Sequence, residues 1–389
     1  MYDFIIVGAR CAGASLAIFL GRLGYSILLT DKYSSPGPTT STHIIGEVDI
    51  YERLGINKKM ESVGAPPLTR VKVDLEGNVF ESDMFVTKRA LGLRREYLDH
   101  FLLEEAKQIS TIDVLLESRV LDLLKRDNKV IGIRCKSKNG TISKKYAKVT
   151  VGADGRYSSV ARNVNALATK KTSEKHLSVY YSYIENIQPL LIPTLEWYWN
   201  KNNVVICNPI DKNLHCVAIM ASSEEKDSLK LSKPENFIDY LSQLRTLAPR
   251  LKNPHIHGRI KGIDHLTSHI NHPYGDGWVL AGDASAHLHP ISGVGIDNAI
   301  CTAEELSIQL HDYMQGNKDW TDAMKGYTQY RDERIVPQFE ASLRTLSLAA
   351  EQAPMENIEY LKMFCTFPSY LKKVAMESQQ IINFINGGK

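Results

Sequence analysis

The N-terminal segment from Met1 to Asp31 constrains the fold more than any other part of the chain. Residues 3–7, Asp-Phe-Ile-Ile-Val, form a short apolar run of the kind that makes a strand buried on both faces. A turn containing Gly8 and Gly13 follows, then a run with helical spacing, and then a second apolar run that ends at Asp31. This order of strand, glycine turn, helix, strand and acidic residue is typical of a dinucleotide-binding βαβ unit.

The chemistry of this segment depends on the backbone at the turn. Gly8 permits a tight turn, and Gly13 lets the helix pack closely against the strand. The helix N-terminus presents N–H groups and a positive dipole end to a pyrophosphate, and the Asp31 carboxylate can accept from ribose hydroxyls. Arg10 occupies the place of the second glycine in the usual Gly-x-Gly-x-x-Gly pattern. We expect its side chain to offset the pyrophosphate charge or to point along the ligand towards solvent.

Length and composition limit the classes of protein to consider. The 389 residues suggest two closely joined domains, and hydrophobic (43%) and charged (23%) residues occur at fractions ordinary for a globular protein. The net charge is only +3 and the basic residues are scattered, which argues against a nucleic-acid partner. No apolar run is long enough to span a membrane, so no transmembrane segment is expected.

The six cysteines and the start of the chain indicate a cytoplasmic location. The cysteines form neither a Cys-x-x-Cys pair nor a zinc spacing, so we interpret them as reduced thiols and expect no metal. The first strand begins directly at the N-terminus, which leaves no room for a signal peptide.

A second strand-to-glycine element lies in the middle of the chain. Residues 112–151 predict strands and a hairpin that turns at Asn139-Gly140. The last of these strands runs into Gly152-Ala153-Asp154-Gly155, after which a helix is expected.

A third element of this kind follows near residue 280. The strand at 277–281 leads to Gly282 and Asp283, and the turn Pro290-x-x-Gly293-x-Gly295 then opens a helix that reaches about residue 311. Gly293 and Gly295 present backbone N–H groups that can bind the edge of a flavin ring and stabilise negative charge on it.

The remaining regions differ in pattern. Strand-like, aromatic-rich segments in 177–270 predict a largely antiparallel sheet with one helix at 235–247. Its aromatic residues either line an apolar pocket or form one packed face of the sheet: Tyr180, Tyr181, Tyr183, Trp197, Tyr198 and Trp199. The C-terminal part predicts helices at about 320–348, 355–366 and 368–385.

Two single residues have alternative interpretations. His43 follows a loop rich in Ser, Pro and Thr, and it either faces a substrate or cofactor ring or serves in helix capping or packing. Arg95 stands at the start of a predicted helix, where it either turns towards an anionic or polar ligand or makes a surface ion pair with Glu96 or Asp99.

In this order and spacing, the three glycine elements closely resemble the FAD-dependent monooxygenase superfamily of the para-hydroxybenzoate hydroxylase type, over about residues 1–340. The resemblance implies an α/β fold with a Rossmann-like FAD-binding domain built on a parallel sheet (1–67, 93–176 and 273–345). This domain is interleaved with an antiparallel-sheet substrate domain (68–92 and 177–272), and C-terminal helices follow (346–389).

The resemblance also implies site residues. Those expected to bind non-covalent FAD are Gly8, Arg10, Cys11, Ala12, Gly13, Asp31, Lys32, Arg95, Val120, Asp154, Gly282, Asp283, Pro290, Gly293, Val294 and Gly295. Among them, Asp31 would serve the ribose, Asp283 the ribityl chain and Gly293 with Gly295 the isoalloxazine. No catalytic acid or base is defined by the resemblance, and His43, His287 and His289 are candidates by position alone.

The implied activity is an NAD(P)H-dependent monooxygenation. NADH or NADPH binds transiently and reduces FAD, molecular oxygen forms a flavin hydroperoxide, and a small aromatic or unsaturated lipophilic substrate takes one oxygen atom. The same fold also serves double-bond reductases, such as geranylgeranyl reductases, and halogenases; Trp197-Tyr198-Trp199 has only the Trp-x-Trp centre of the halogenase signature. A flavin-binding sensor without turnover is a further alternative, which the intact Gly293/Gly295 turn argues against.

Overall fold

The computed structural model describes residues 1–35, 41–46, 48–84, 90–172, 177–200, 203–222, 225–264 and 266–349. In chain order the strands are β1 (Tyr2–Val7), β2 (Ile27–Thr30), β3 (Ile44–Ile45), β4 (Pro67–Leu68), β5 (Arg70–Leu75), β6 (Asn78–Asp83), β7 (Ala90–Gly92), β8 (Ile112–Leu115), β9 (Ser118–Arg126), β10 (Lys129–Ser137), β11 (Ile142–Gly152), β12 (Ala168–Lys171), β13 (Leu177–Ile187), β14 (Thr194–Asn200), β15 (Asn203–Pro209), β16 (His215–Ser222), β17 (Leu251–Ile263), β18 (His269–Asn271), β19 (Tyr274–Gly275), β20 (Trp278–Leu280) and β21 (Ala286–His287). The α-helices are α1 (Cys11–Arg22), α2 (Val48–Arg53), α3 (Asn57–Glu61), α4 (Arg95–Lys107), α5 (Ser159–Asn163), α6 (Lys226–Leu229), α7 (Pro234–Ser242), α8 (Gly295–Met314) and α9 (Trp320–Ala349).

The first sheet forms the centre of an α/β unit. Its main path runs β19-β20-β11-β1-β2-β8, and β1 pairs in parallel with both β11 and β2. Phe4 and Ile6 pack with residues of α1, α4 and α8, whereas Ile5 and Val7 pack on the other face against β9, β10 and α5. Both faces are therefore covered, which is why β1 reads as an uninterrupted apolar run.

The second sheet has the order β17-β13-β16-β15-β14-β5-β6. Its pairings are antiparallel except for the parallel contact of β14 with β5. Helix α7 packs on one face through Phe237 and Leu241, and the opposite face places Val179 and Leu177 in one apolar cluster with Ile44. The predicted parallel sheet and antiparallel sheet are both confirmed, while the assignment of whole segments to two domains remains a prediction.

Some predicted element boundaries were wrong. Helix α1 begins at Cys11, within the glycine turn, and not after Gly13. The helix expected at 235–247 ends at Ser242, although Leu244 and Leu247 stay buried in the turns that follow. Apolar periodicity reports burial, and it does not distinguish a helix from turns that bury the same side chains. The helices expected at 355–366 and 368–385 lie outside the described residues.

Among the described helices, none is both long and apolar enough to cross a membrane.

The buried imidazole of His215 predicts a pH-dependent stability. His215 lies at the start of β16, and burial lowers its pKa from 6.5 to about 4. The unfolded side chain takes up a proton near pH 6.5 while the folded one stays neutral, so the free energy of unfolding falls as the pH drops from 6.5 towards 4. We expect His215→Gln to reduce this slope by about 1.4 kcal/mol per pH unit, measured by urea denaturation. An unchanged slope would show that His215 is protonated in the folded protein.

Candidate cofactor and substrate site

A cavity of about 860 Å³ opens where β1, β2 and β11 end. Ligands of open α/β sheets bind at this carboxyl edge. Most residues that the sequence assigned to the cofactor line the cavity: Gly8, Arg10, Cys11, Ala12, Asp31, Lys32, Arg95, Val120, Asp154, Asp283, Pro290, Gly293 and Gly295. Gly13, Gly282 and Val294 do not line it.

Close backbone contacts hold the turn between β1 and α1. Gly8 has a φ of 107°, and a Cβ there would lie 2.3 Å from the carbonyl oxygen of Ala153. A Cβ at Gly13 would lie 1.8 Å from the carbonyl oxygen of Gly8. Arg10 is the N-cap residue of α1 and makes no side-chain cap, so the first N–H groups of the helix remain available to an anion in the cavity.

The Asp31 carboxylate is oriented by the backbone around it. The N–H of Ala9 donates to Oδ2 at 2.9 Å, and the N–H of Tyr33 donates to Oδ1 at 3.0 Å. Asp31 therefore braces the glycine turn, and each oxygen keeps a further lone pair for a ribose hydroxyl.

Arg95 opens α4 and forms a buried ion pair. Its Nη2 donates to both carboxylate oxygens of Asp99, at 2.8 and 3.0 Å, and Asp99 also accepts from Sγ of Cys11 at 3.1 Å. Burial disfavours the charged guanidinium, but the adjacent Asp99 carboxylate raises the pKa of Arg95 overall. The predicted ion pair with Asp99 is therefore present, but it is buried and does not lie at the surface, because the two side chains are only 13% and 0% exposed.

The second glycine element is stabilised by its own aspartate. The backbone N–H and hydroxyl of Ser159 donate to Oδ2 of Asp154 at 2.6 and 2.7 Å, and the hydroxyl of Ser158 donates to Oδ1. These bonds cap the start of α5 and hold the turn that places Gly155 and Arg156 in the cavity wall. The cofactor contact of Asp154 itself remains a prediction.

The third glycine element packs directly on the first. Gly282 has a φ of 56°, and a Cβ there would lie 2.6 Å from Cβ of Ala12. The neighbouring Asp283 carboxylate makes no hydrogen bond to another described residue, so its oxygens are available to a ligand. Gly293 and Gly295 border open space, since a Cβ at either would meet no atom within 4 Å, and α8 begins there without a side-chain cap.

The structure separates the two histidines near this element. His287 lines the cavity, and its Nδ1 lies 3.1 Å from the carbonyl oxygen of Thr267, so Nδ1 donates to that oxygen. His289 does not line the cavity; its Nδ1 accepts from the N–H of Ile291 at 3.2 Å and its Nε2 lies 3.3 Å from the carbonyl oxygen of Leu177. Both ring nitrogens of His289 therefore contact backbone groups, and the ring holds the Pro290 turn in place. The catalytic role predicted for His289 is not supported by a position in the cavity wall.

His43 lies behind the cavity wall. It is 1% exposed and does not line the cavity, although its neighbours Thr42 and Ile44 do. It precedes β3, and α2 begins only at Val48, so helix capping is wrong for this residue. Its φ of 62° is rare for a non-glycine residue, and such conformations are frequent at functional sites.

Basic side chains dominate the charge of the cavity. Six of the lining residues are Arg or Lys, against three aspartates: Arg10, Lys32, Arg95, Arg119, Arg156 and Arg162 against Asp31, Asp154 and Asp283. The sequence analysis missed Arg119, Arg156 and Arg162, although Arg119 precedes Val120 and Arg156 follows the second glycine element. The excess of positive charge favours a ligand with phosphate groups.

Of the two interpretations of the aromatic residues in the antiparallel sheet, the apolar pocket is wrong. None of the six aromatic residues singled out in the antiparallel sheet lines the cavity. Tyr198 packs in the cluster under α7, whereas Trp197 and Trp199 stack on each other at 5.7 Å within β14. The apolar part of the cavity wall comes instead from aliphatic residues: Ile44, Ile263, Leu266, Leu288, Pro290 and Ile296.

Together, these groups fit FAD. The uncapped start of α1 and the basic residues suit a pyrophosphate, and the open space beside Gly293 suits a flat ring. The Nε of Arg95 is buried and has no hydrogen-bond partner among the described residues. It is therefore a donor that a bound ligand could satisfy.

Comparison with known proteins identifies the family. Residues 1–337 match the FAD binding domain family. The chain belongs to this family. It is accordingly a flavin-dependent oxidoreductase with an FAD site.

Relatives of this flavoprotein catalyse different reactions. A 1H-pyrrole-2-carbonyl-[peptidyl-carrier protein] brominase from Pseudoalteromonas luteoviolacea is 22% identical over 346 residues, which span 84% of this chain and 81% of the relative. Digeranylgeranylglycerophospholipid reductase 1 from Methanococcoides burtonii is 23% identical over 77% of this chain and 72% of its own length. The structure of p-nitrophenol 4-monooxygenase PnpA from Pseudomonas putida DLL-E4 matches with a TM-score of 0.80 and 15% identity, covering 100% of this chain and 99% of that one. Identities this low show a shared fold. The reaction must be inferred from the residues of the site.

Proposed function

We propose that this protein is an NAD(P)H-dependent monooxygenase that hydroxylates a small aromatic or unsaturated lipophilic substrate. The observation that carries the proposal is the division of the cavity. Arg10 and Asp31 line the cavity beside the Gly8 turn, whereas the lining residues Leu266 and Leu288 pack with Ile291 and Val294, next to Pro290 and Gly293. A lipophilic substrate fits this apolar end, next to the place assigned to the isoalloxazine.

Residues on this chain would hold FAD along the cavity without a covalent bond. The start of α1 would bind the pyrophosphate, Asp31 the ribose, Asp283 the ribityl chain, and the backbone at Gly293 and Gly295 the ring edge. FAD supplies the chemistry, which is acceptance of a hydride and, once reduced, activation of molecular oxygen for transfer of one atom.

The protein contributes positioning, charge and exclusion of water. N–H groups at the start of α8 stabilise negative charge at the ring edge, and the ion pair with Asp99 holds the Arg95 guanidinium at the cavity wall. The aliphatic wall keeps water from the reacting atoms. His287, whose Nδ1 is held by the Thr267 carbonyl, is the candidate acid or base in the cavity lining.

NADH or NADPH would approach from the polar end as a transient reductant. Arg119, Arg156 and Arg162 line this end and can attract its phosphate groups. The five described cysteines are free thiols, which supports our placing the protein in the cytoplasm.

Anaerobic reduction followed by oxygenation tests the proposal. FAD-loaded protein is mixed with NADPH or NADH in the absence of oxygen while the flavin absorbance is followed. Oxygen is then admitted with a panel of phenols, anilines, pyrroles and prenyl compounds, and products are identified by mass. A gain of one oxygen atom supports the monooxygenase, a gain of two hydrogens means a double-bond reductase, and a gain of halogen in halide buffer means a halogenase. No reduction by either nucleotide and no product would refute an NAD(P)H-dependent enzyme and favour a flavin-binding sensor.

We expect Asp283→Ala to lose most of its FAD while remaining folded. Its carboxylate has no hydrogen bond to another described residue, so its removal leaves no donor without an acceptor and ends only its Coulomb interactions with Arg95 and His269. FAD affinity should fall by about tenfold or more, which fluorescence titration of the apoprotein measures. Asp49→Ala, at an exposed position on α2, is the matched control and should bind FAD normally. Full flavin occupancy in Asp283→Ala would contradict the assignment.

A further inference from the structure

Strands β9, β10 and β11 form an antiparallel unit with one face open to solvent. The inner face carries Val120, Ile133 and Cys135 into an apolar cluster that includes residues of α5. The side chains that alternate with these are exposed or half-buried. We call this outer surface the basic face, and its residues are Arg119, Arg134, Lys136, Ile142, Lys144 and Tyr146.

The strand register sets cations opposite one another on the basic face. Lys136 of β10 pairs with Arg119 of β9, and Arg134 of β10 pairs with Lys144 of β11. Directly opposite side chains on one face have Cβ atoms about 5 Å apart, and like charges at such positions destabilise the sheet. Positive charge that is scattered along the sequence is therefore concentrated on one surface by the pairing of three strands.

Carboxylates neutralise little of this charge. Asp122 pairs with Arg134, but the two side chains are 38% and 42% exposed, so solvent screens the pair. Among the residues that the structure describes, Arg119, Lys136 and Lys144 form no ion pair. A positive surface that lowers the stability of the sheet and lacks counter-charges within the described chain is explained by an anionic partner outside it.

Two side chains with large apolar parts lie among the cations. Ile142 is opposite Lys136 and is 55% exposed, and Tyr146 follows Lys144 on the same face of β11 and is 43% exposed. Lys and Arg around exposed apolar and aromatic side chains are typical of surfaces that lie in the headgroup region of a bilayer. There the cations meet lipid phosphates, and the apolar parts enter the boundary of the acyl chains.

The basic face meets the cofactor cavity at one residue. Arg119 lies on the face and also lines the cavity. Arg162 of α5 lines the cavity as well, and α5 is joined to β9 by Lys125, whose ammonium donates to the carbonyl oxygen of Asn163 at 3.2 Å. A partner bound to the basic face would therefore lie next to the polar end of the cavity.

We propose that the basic face docks this protein on a membrane whose lipids carry anionic headgroups. The cations attract the headgroup phosphates, Ile142 and Tyr146 insert at the interface, and the docking is peripheral. Lys136 and Lys144 favour this occupant over an acidic protein. Lysine is depleted in protein–protein interfaces, whereas each lysine near an anionic membrane strengthens binding without requiring a fixed geometry.

Membrane docking would bring the enzyme to the layer in which lipophilic molecules dissolve. This consequence rests on the proposed function, because it assumes a lipophilic substrate. The docking itself depends only on the residues of the basic face, so it can be tested without any substrate.

Sedimentation with lipid vesicles tests the docking. FAD-loaded protein is mixed with vesicles of phosphatidylcholine alone or of phosphatidylcholine with phosphatidylglycerol, and the bound fraction is measured at low and high salt. We expect binding to the anionic vesicles only, and weaker binding at high salt. Lys136→Gln combined with Lys144→Gln should weaken this binding by about tenfold or more. Ile142→Ser should weaken it at both salt concentrations, because the apolar contribution is not screened.

Lys58→Gln combined with Lys252→Gln is the matched control, because it removes two exposed lysines on α3 and β17, outside the basic face. This control should bind anionic vesicles like the unsubstituted protein. Urea denaturation should show that the variant of Lys136 and Lys144 is at least as stable as the unsubstituted protein, since its substitutions relieve like-charge pairs. Lost binding would then not be due to unfolding.

Two results would overturn the proposal. The first is no binding of the unsubstituted protein to anionic vesicles, which would leave an acidic protein as the occupant of the basic face. The second is equal binding by the variant of Lys136 and Lys144 and by the control variant. Because no step involves turnover, a failed monooxygenase assay would leave the vesicle result unchanged.

Discussion

Substitution of Gly13 by alanine should lower the free energy of unfolding by about 3 kcal/mol and weaken FAD binding by about a hundredfold. The added Cβ would lie 1.8 Å from the carbonyl oxygen of Gly8 and 3.2 Å from Cβ of Ala153. The first atom belongs to the backbone and cannot rotate away, so α1 must move off β1 and carry its N–H groups away from the pyrophosphate position. Urea denaturation measures the first effect, and fluorescence titration with FAD measures the second.

Gly295→Ala is the control for the first prediction. Gly295, like Gly13, lies in the first turn of a helix, yet a Cβ at Gly295 would meet no atom within 4 Å. Helix propensity alone favours alanine over glycine at both positions by about 1 kcal/mol. We therefore expect Gly295→Ala to be at least as stable as the unsubstituted protein. A Gly13→Ala protein of equal or higher stability would mean that the close contact between β1 and α1 is not needed.

Substitution of Asp99 by alanine should destabilise the protein by about 3 to 5 kcal/mol. Asp99 is 0% exposed, and its loss would leave the guanidinium of Arg95 buried without its counter-charge and the Cys11 thiol without its acceptor. Arg95 would then be free to leave the cavity wall, so FAD should also bind about tenfold more weakly. Thermal unfolding with and without excess FAD measures both effects.

An exposed ion pair supplies the control for Asp99. Asp122 pairs with Arg134 on the hairpin of β9 and β10, and their side chains are 38% and 42% exposed. Because solvent already screens these charges, Asp122→Ala should leave the stability close to that of the unsubstituted protein. Equal effects of the two substitutions would show that burial does not set the contribution of the Arg95–Asp99 pair.

The features predicted best are those decided by neighbours in the chain. Gly8 and Gly282 both have a positive φ, a local backbone conformation that other residues rarely adopt. Such positions can be recognised in a sequence because glycine is the residue that adopts a positive φ most readily. The order of the glycine turns along the chain indicated the FAD site, which the family match supports. The two sheets were likewise predictable. Uninterrupted apolar runs indicated the parallel sheet, and strand-like segments rich in aromatic residues indicated the antiparallel one.

Contacts between distant parts of the chain were not predictable. The thiol of Cys11 meets Asp99 across 88 positions, and His43 meets Tyr183 across 140. The pairing of Arg95 with Asp99 follows helical spacing, yet its burial depends on how α4 packs against α1. The aromatic residues of β14 do not line the cavity, and this too was not predictable. Alternation of aromatic and polar residues shows that one face of a strand is covered, but it does not show which element covers that face.

By itself, the sequence determined that this chain binds FAD at the ends of a parallel sheet, because local backbone requirements at three glycine turns leave little choice of residue. Only the tertiary structure decided which side chains surround the cofactor site, how deeply they are buried and which groups they bond. It buried Arg95 against Asp99, left Asp283 open to the cavity, and joined His43 to Tyr183. The physical reason is that burial and charge pairing depend on distances between elements, and those distances exist only once the two sheets have packed around the cavity.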